Sequence, residues 1–113
     1  MMDNRTIYEN FIGKIVCGKT VFAIGDCHPS FPDLVYPINF GTVDISNIQM
    51  DAYLIGIDTP VEEFKGRIIA VLKSEEKIGD KLVVSIGNRN YTDEEIKGCI
   101  NFRERFFDYE IIR

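Results

Sequence analysis

The chain has 113 residues, 45% of them hydrophobic and 27% charged, which fits one globular domain able to bury a single core. Its formal charge of -5, with Lys and Arg scattered rather than clustered, gives no footprint for nucleic acid. The acidic start MMDNRTIYENF is unlike a signal peptide and no apolar run reaches bilayer length, so no membrane is expected and a soluble, cytoplasmic protein is. Three cysteines, Cys17, Cys27 and Cys99, form no C-x-x-C pair, and with His28 the only histidine neither a disulfide framework nor a zinc site is indicated.

In chain order, residues 1–10 are polar and read as a flexible or loosely docked tail, which leaves 11–113 as the single domain. Phe11–Cys17 and Thr20–Ile24 read as two short strands of a hairpin, since β-branched and aromatic residues are bounded there by Gly13, Gly18 and Gly25. Asp26–Pro37 contains Pro29, Pro32 and Pro37; proline removes ladder donors, so this is read as a loop with one brief strand at Leu34–Tyr36. A polar segment then ends in a single carboxylate, Asp51. Ala52–Ile57, Arg67–Leu72 and Lys81–Ile86 are near-continuous apolar runs of strand length, as expected of strands buried on much of both faces.

Thr92–Phe107 differs in period. Thr92 and Glu95 form a capping box, Asp93 and Glu94 suit a helix N-terminus, and Ile96, Cys99, Ile100 and Phe107 recur at helical spacing. One amphipathic helix is predicted, with Gly98 a weak point of about 1 kcal/mol relative to alanine. Asp108–Arg113 reads as an edge strand or a trailing end. The order β-β-loop-β-β-β-α predicts a mainly β fold with one C-terminal helix, a small barrel or strongly curved sheet closed or plugged by that helix.

The strings YPINFG, DAYLIGIDTPVEEFKGRIIAVL and DKLVV, followed by TDEEI and FRERFF, resemble the soluble, metal-dependent family I inorganic pyrophosphatases. The likeness is to the short bacterial branch, whose tract reads roughly YPVNYGY, D-G-x-x-x-D-AY-LG, P-VEEF-GR-IA, DKLVV and TDEEI-FQE-YF. The approach HPSFPDLVYP is similar as well, and the likeness runs from Gly13 to Phe107. The resemblance implies a five-stranded OB-like barrel with a C-terminal helix, magnesium or manganese as cofactor, and hydrolysis of diphosphate to phosphate. Its implied ligand is diphosphate or another small phosphorylated compound, and a homo-oligomer is compatible with it.

Carried over position by position, the aspartate closing the family's acidic motif is similar to Asp51, which the resemblance makes both catalytic residue and metal ligand. The upstream acids fall on Ser46-Asn47-Ile48-Gln49, and the tract from Gly41 to Asp51 is shorter than in the family, which brings Asp44 into consideration as a metal ligand from another register. Glu75, Glu76 and Asp80 precede Lys81 much as family acids precede a phosphate-binding lysine; Asp80 and Glu75 are therefore further candidate metal ligands and Lys81 the candidate substrate-binding residue. The family's substrate tyrosine corresponds to Phe40, which keeps the ring and loses the hydroxyl. Its arginine falls on Phe22 and the preceding aspartate on Val21.

Other features take plainer readings. His28, beside Pro29, is a surface or turn histidine, the cysteines suit packing, and Phe102, Phe106 and Phe107 form an aromatic cluster read as core. Two functions follow from the resemblance. One is a divergent magnesium- or manganese-dependent pyrophosphatase acting through Asp51, Asp80 and either Asp44 or Glu75. The other is a catalytically silent relative, more apolar at Phe22, Phe40 and Ile48, that serves as a binding or regulatory module. Residue chemistry leans toward the second, because phenylalanine cannot stabilise a phosphoryl transition state.

Overall fold

Alternation along the strands sorts the apolar residues into two clusters on opposite sides of one curved sheet. In a computed structural model that describes residues 4–75, 79–87 and 89–113, the elements are α1 (Asn4–Phe11), β1 (Ile15–Phe22), β2 (Cys27–His28), β3 (Phe31–Val35), β4 (Phe40–Ile45), β5 (Ile48–Ile55), β6 (Glu63–Ser74), β7 (Lys81–Ser85), α2 (Asp93–Glu104) and β8 (Tyr109–Ile112). The main sheet runs β1-β4-β5-β7-β6-β8, and β1 also pairs with β6, which closes five strands into a barrel. Among the described residues only the β5–β7 pair is parallel. Counting barrel strands in chain order, the circuit is first, second, third, fifth, fourth, first, the connectivity of an OB barrel. The expected mainly β, five-stranded barrel is present, with two helices where one was expected.

The barrel interior is filled by Val16, Val43, Met50, Leu54, Phe64, Ile68, Val71, Leu82 and Val84, one or more from every barrel strand. Tyr8 and Phe11 of α1 join that cluster. The segment expected as a flexible or loosely docked tail is helical from Asn4 onward: Thr6, Glu9 and Asn10 are exposed, while the Tyr8 and Phe11 rings are buried against the barrel interior. The C-terminal helix, expected to plug the barrel, instead packs outside it. Ile96 and Ile100 of α2 sit with Phe40, Tyr53, Ile55, Leu72 and Val83 on the outer face.

Two local readings also change. Gly18 does not turn a hairpin but lies inside the continuous strand β1; a Cβ there would stand 2.3 Å from the Thr42 carbonyl oxygen and 2.4 Å from the Phe64 ring, so glycine permits close strand approach. The segment before Asp51 is an antiparallel hairpin of β4 and β5, paired from Phe40↔Tyr53 to Ile45↔Ile48 and turned by Ser46 and Asn47, both at positive φ. The proline-rich span expected as a loop holds a small hairpin, β2 with β3, and β8 extends the sheet along β6.

If α1 is a docked part of the core, Phe11→Ala should lower the unfolding free energy by about 3–5 kcal/mol. Ile7→Ala, at an exposed position on the same helix, should change it by less than about 0.5 kcal/mol. Urea unfolding of both variants checks this, and equally small effects would mean that α1 does not contribute to the core.

Candidate functional site

The ladder sets one row of outward-facing side chains across the barrel: Lys19 pairs with Thr42, Thr42 with Asp51, and Asp51 with Lys81. Lys19 is exposed and Asp51 half-buried. At the far end α2 covers the row, and the Lys81 side chain is only 3% exposed. Its Nζ lies 3.6 Å from Oε1 of Glu104, itself 2% exposed, and 6.0 Å from the Phe107 ring centre. The other Glu104 oxygen accepts a hydrogen bond from the Tyr53 hydroxyl. Ile96, Ile100 and Glu104 follow one another at intervals of four, so the helix that buries two isoleucines carries the glutamate onto the same buried stripe.

Beside this cluster stands a run of aromatic rings. Phe22 stacks on Tyr36 at 4.9 Å, Phe40 meets Tyr53 edge-on at 4.9 Å, and Phe102 abuts both tyrosines at 5.3 and 6.0 Å. The Arg103 guanidinium lies over the Phe40 ring at 4.7 Å. Two polar atoms are buried there without a hydrogen-bond partner, the Tyr36 hydroxyl oxygen and Arg103 Nη1. Each such group costs about 1–3 kcal/mol, a cost folding alone gives no reason to retain. Burial pushes the Tyr36 phenol up; Arg103 opposes the shift, and the Asp51 and Glu104 carboxylates reinforce it. Tyr53 is driven above the ordinary tyrosine range by burial first and then by its Glu104 partner.

The candidate residues named from sequence divide between different places. Asp51 and Lys81 are register partners on the outer face. Asp44 shares that face one diagonal step away, opposite Gln49. Asp80 points elsewhere: Oδ2 accepts from the Tyr8 hydroxyl at 2.5 Å and Oδ1 from the Ser74 N–H at 2.8 Å, which ties the β6–β7 connection to α1. Glu75 lies past the end of β6, exposed, its N–H donating to the Asp108 carbonyl. Glu76 lies outside the described residues. Among the described residues no three acidic, histidine or cysteine side chains gather closely enough to hold a metal ion.

These residues do not fit the centre of several carboxylates that the resemblance implies. A hard divalent cation requires oxygen ligands converging on one point. Asp44 and Asp51 share a face, Asp80 has one oxygen on the Tyr8 hydroxyl of α1 and the other on the Ser74 N–H of β6, and Glu75 stands beyond the ladder.

Smaller expectations resolve as follows. His28, expected at the surface or in a turn, is the half-buried last residue of β2; its Nδ1 accepts from the Ser30 N–H at 3.0 Å, and its ring lies 5.9 Å from Phe22. Cys17 and Cys27 are exposed, so packing does not explain them; Cys99 is half-buried. Phe102 is half-buried, but Phe106 is 63% exposed, which corrects its reading as core. Sequence reasoning missed Tyr36, Tyr53, Arg103 and Glu104. The available signal was the acid at the next step of the Ile96–Ile100 stripe, where a hydrophobic residue belongs.

No family model matches the chain, and no curated protein matches it. Among solved structures it is similar to an inorganic pyrophosphatase from Neisseria gonorrhoeae, with 15% identity over 88% of this chain and 79% of that one, and a TM-score of 0.46. The strand order given above itself defines the OB-like barrel.

Breaking the buried pair should be costly. Glu104→Gln leaves Lys81 charged and without its counterion and should destabilise by about 3–5 kcal/mol, whereas Lys81→Met with Glu104→Leu should cost much less than that. Urea unfolding of the single and double variants checks this; additive losses would mean that the two groups act independently.

A second prediction concerns alkali. Tyr8, Tyr36, Tyr53 and Tyr109 are all raised, in each case chiefly by burial. The folded state keeps these protons where unfolded phenols would lose them. Their contribution is therefore complete below the ordinary value of about 10 and is lost as pH climbs toward the folded values. Phenolate absorbance should appear together with loss of circular dichroism; ionisation of these four with the fold intact would contradict it.

Proposed function

We propose that this chain is a pyrophosphatase-like barrel that binds a small phosphorylated anion at its outer face and does not turn over diphosphate efficiently. The observation that carries this reading is the Tyr53–Glu104–Lys81 cluster. Diphosphate hydrolysis needs cations aimed at phosphate oxygens and metal-held water poised for attack. Lys81, the cation that the sequence pattern assigns to phosphate, instead has its charge neutralised by Glu104 beneath a helix. Phe22 and Phe40 add apolar surface to the same wall. A barrel of this kind retains a shaped face and fixed dipoles while lacking the electrostatic field that phosphoryl transfer demands. On this reading the protein acts in the cytoplasm, where three unpaired thiols are stable.

A second reading, slow hydrolysis assisted by magnesium or manganese, is favoured by one observation: Asp44 and Asp51 are diagonal neighbours on one face of the β4–β5 ladder. Phosphate release from diphosphate, measured with each metal for the wild type and for Asp51→Asn, separates the two. The binding reading expects equal background rates in both proteins, and turnover that disappears in Asp51→Asn would sink it.

A further inference from the structure

A surface groove of about 510 Å³ lies between the β2–β3 hairpin and the C-terminal end of α2. His28, Phe31 and Asp33 line it from the hairpin, and Arg103, Arg105 and Phe106 from the helix end. Phe31 and Phe106 are each 63% exposed, although the fold buries Phe11, Phe40 and Phe64. Two large rings open on one groove mark a surface that contacts something else. The charge is also local: two arginines face one aspartate in a chain of net charge -5.

Both guanidiniums are stacked on rings, Arg103 on Phe40 at 4.7 Å and Arg105 on Phe106 at 4.8 Å. Stacking occupies the guanidinium face and leaves the in-plane N–H donors, the geometry that receives an oxyanion. We infer that the groove is a binding site for an organic oxyanion with a flat apolar body, such as an aryl phosphate or aryl carboxylate. The body lies against Phe31 and Phe106, and the oxyanion meets Arg103 and Arg105. The volume suits one small molecule. Diphosphate leaves the rings uncovered, and a neutral arene leaves the arginines without a partner.

This inference rests on the binding reading and assigns it a ligand class. The test is calorimetric titration of the full chain with 1-naphthyl phosphate and 1-naphthoate, with 1-naphthol and inorganic phosphate as the separate halves. Both naphthyl anions should bind at least about tenfold more tightly than either half. Phe31→Ala, Phe106→Ala and Arg105→Ala should each weaken binding by about tenfold. These three carry the test because Arg103 also packs on Phe40.

Binding of phosphate or naphthol alone at equal strength, or indifference to Phe106→Ala, would overturn the inference. So would a dimer in sedimentation that Phe31→Ala dissolves, since a second copy would then fill the groove. If the naphthyl anions bind and diphosphate is turned over through Asp51, the groove assignment and the anion binding it rests on stand, and the claim that diphosphate is not turned over efficiently falls. If the anions do not bind and diphosphate is inert, the assignment falls alone.

Discussion

The arrangement of the outer face depends on one buried ion pair. Lys81 and Glu104, 3.6 Å apart and closed to solvent, attract each other by roughly 5 kcal/mol at the effective dielectric that suits protein interiors. Removing each charge from water costs several kcal/mol, so the pair contributes little net stability. Its value lies in the penalty for separation: if the last turn of α2 shifts, a lysine is left unpaired against Val83 and Leu72. The Tyr53 hydroxyl completes the cluster by engaging the second glutamate oxygen. One helical turn is thereby held in register on β5 and β7, and Phe102 and Arg103 are placed on the aromatic wall as a consequence.

The barrel separates two kinds of work by strand alternation. Its interior is a closed apolar plug completed by α1, with Asp80 fastening that helix to the β6–β7 connection. Its exterior bears the row of Lys19, Thr42, Asp51 and Lys81 with Asp44 beside it, and adjacent residues in sequence consequently have opposite fates. Asp80 and Lys81 are consecutive, yet one faces α1 and the other α2. A pair that looks like a unit in sequence is divided because Asp80 stands just before β7 and Lys81 is its first residue.

Much of the fold was legible in the sequence because buried strands and capped helices have strong local signals. Apolar runs located β5, β6 and β7, and the Thr92–Glu95 capping box located the start of α2 to within a residue, although the helix ends at Glu104 rather than at the expected Phe107. β4 was hidden by its polar outer face, Thr42 and Asp44, and by a turn of Ser46 and Asn47 that lacks the usual glycine. α1 was hidden because, among residues 5–11, only Tyr8 and Phe11 are buried in the core. The site was less legible still. Motif lettering led to Asp51 and Lys81, but the partner of Lys81 comes from a helix more than twenty residues later, and only tertiary packing brings it there.

The same geometry explains why acids introduced at the turn would not by themselves build a metal centre. β4 and β5 stay paired to Ile45↔Ile48, so Ser46 and Asn47 form a tight two-residue turn at the rim. Acids placed there would project from the end of the ladder, while Asp51 lies three registers inward, opposite Thr42. Convergent ligation needs a longer loop that folds back over the row. The shortness of this hairpin is therefore a constraint in its own right: it fixes Asp51 between Thr42 and Lys81 in the ladder, with no chain folded back from the turn to bring further carboxylates over it.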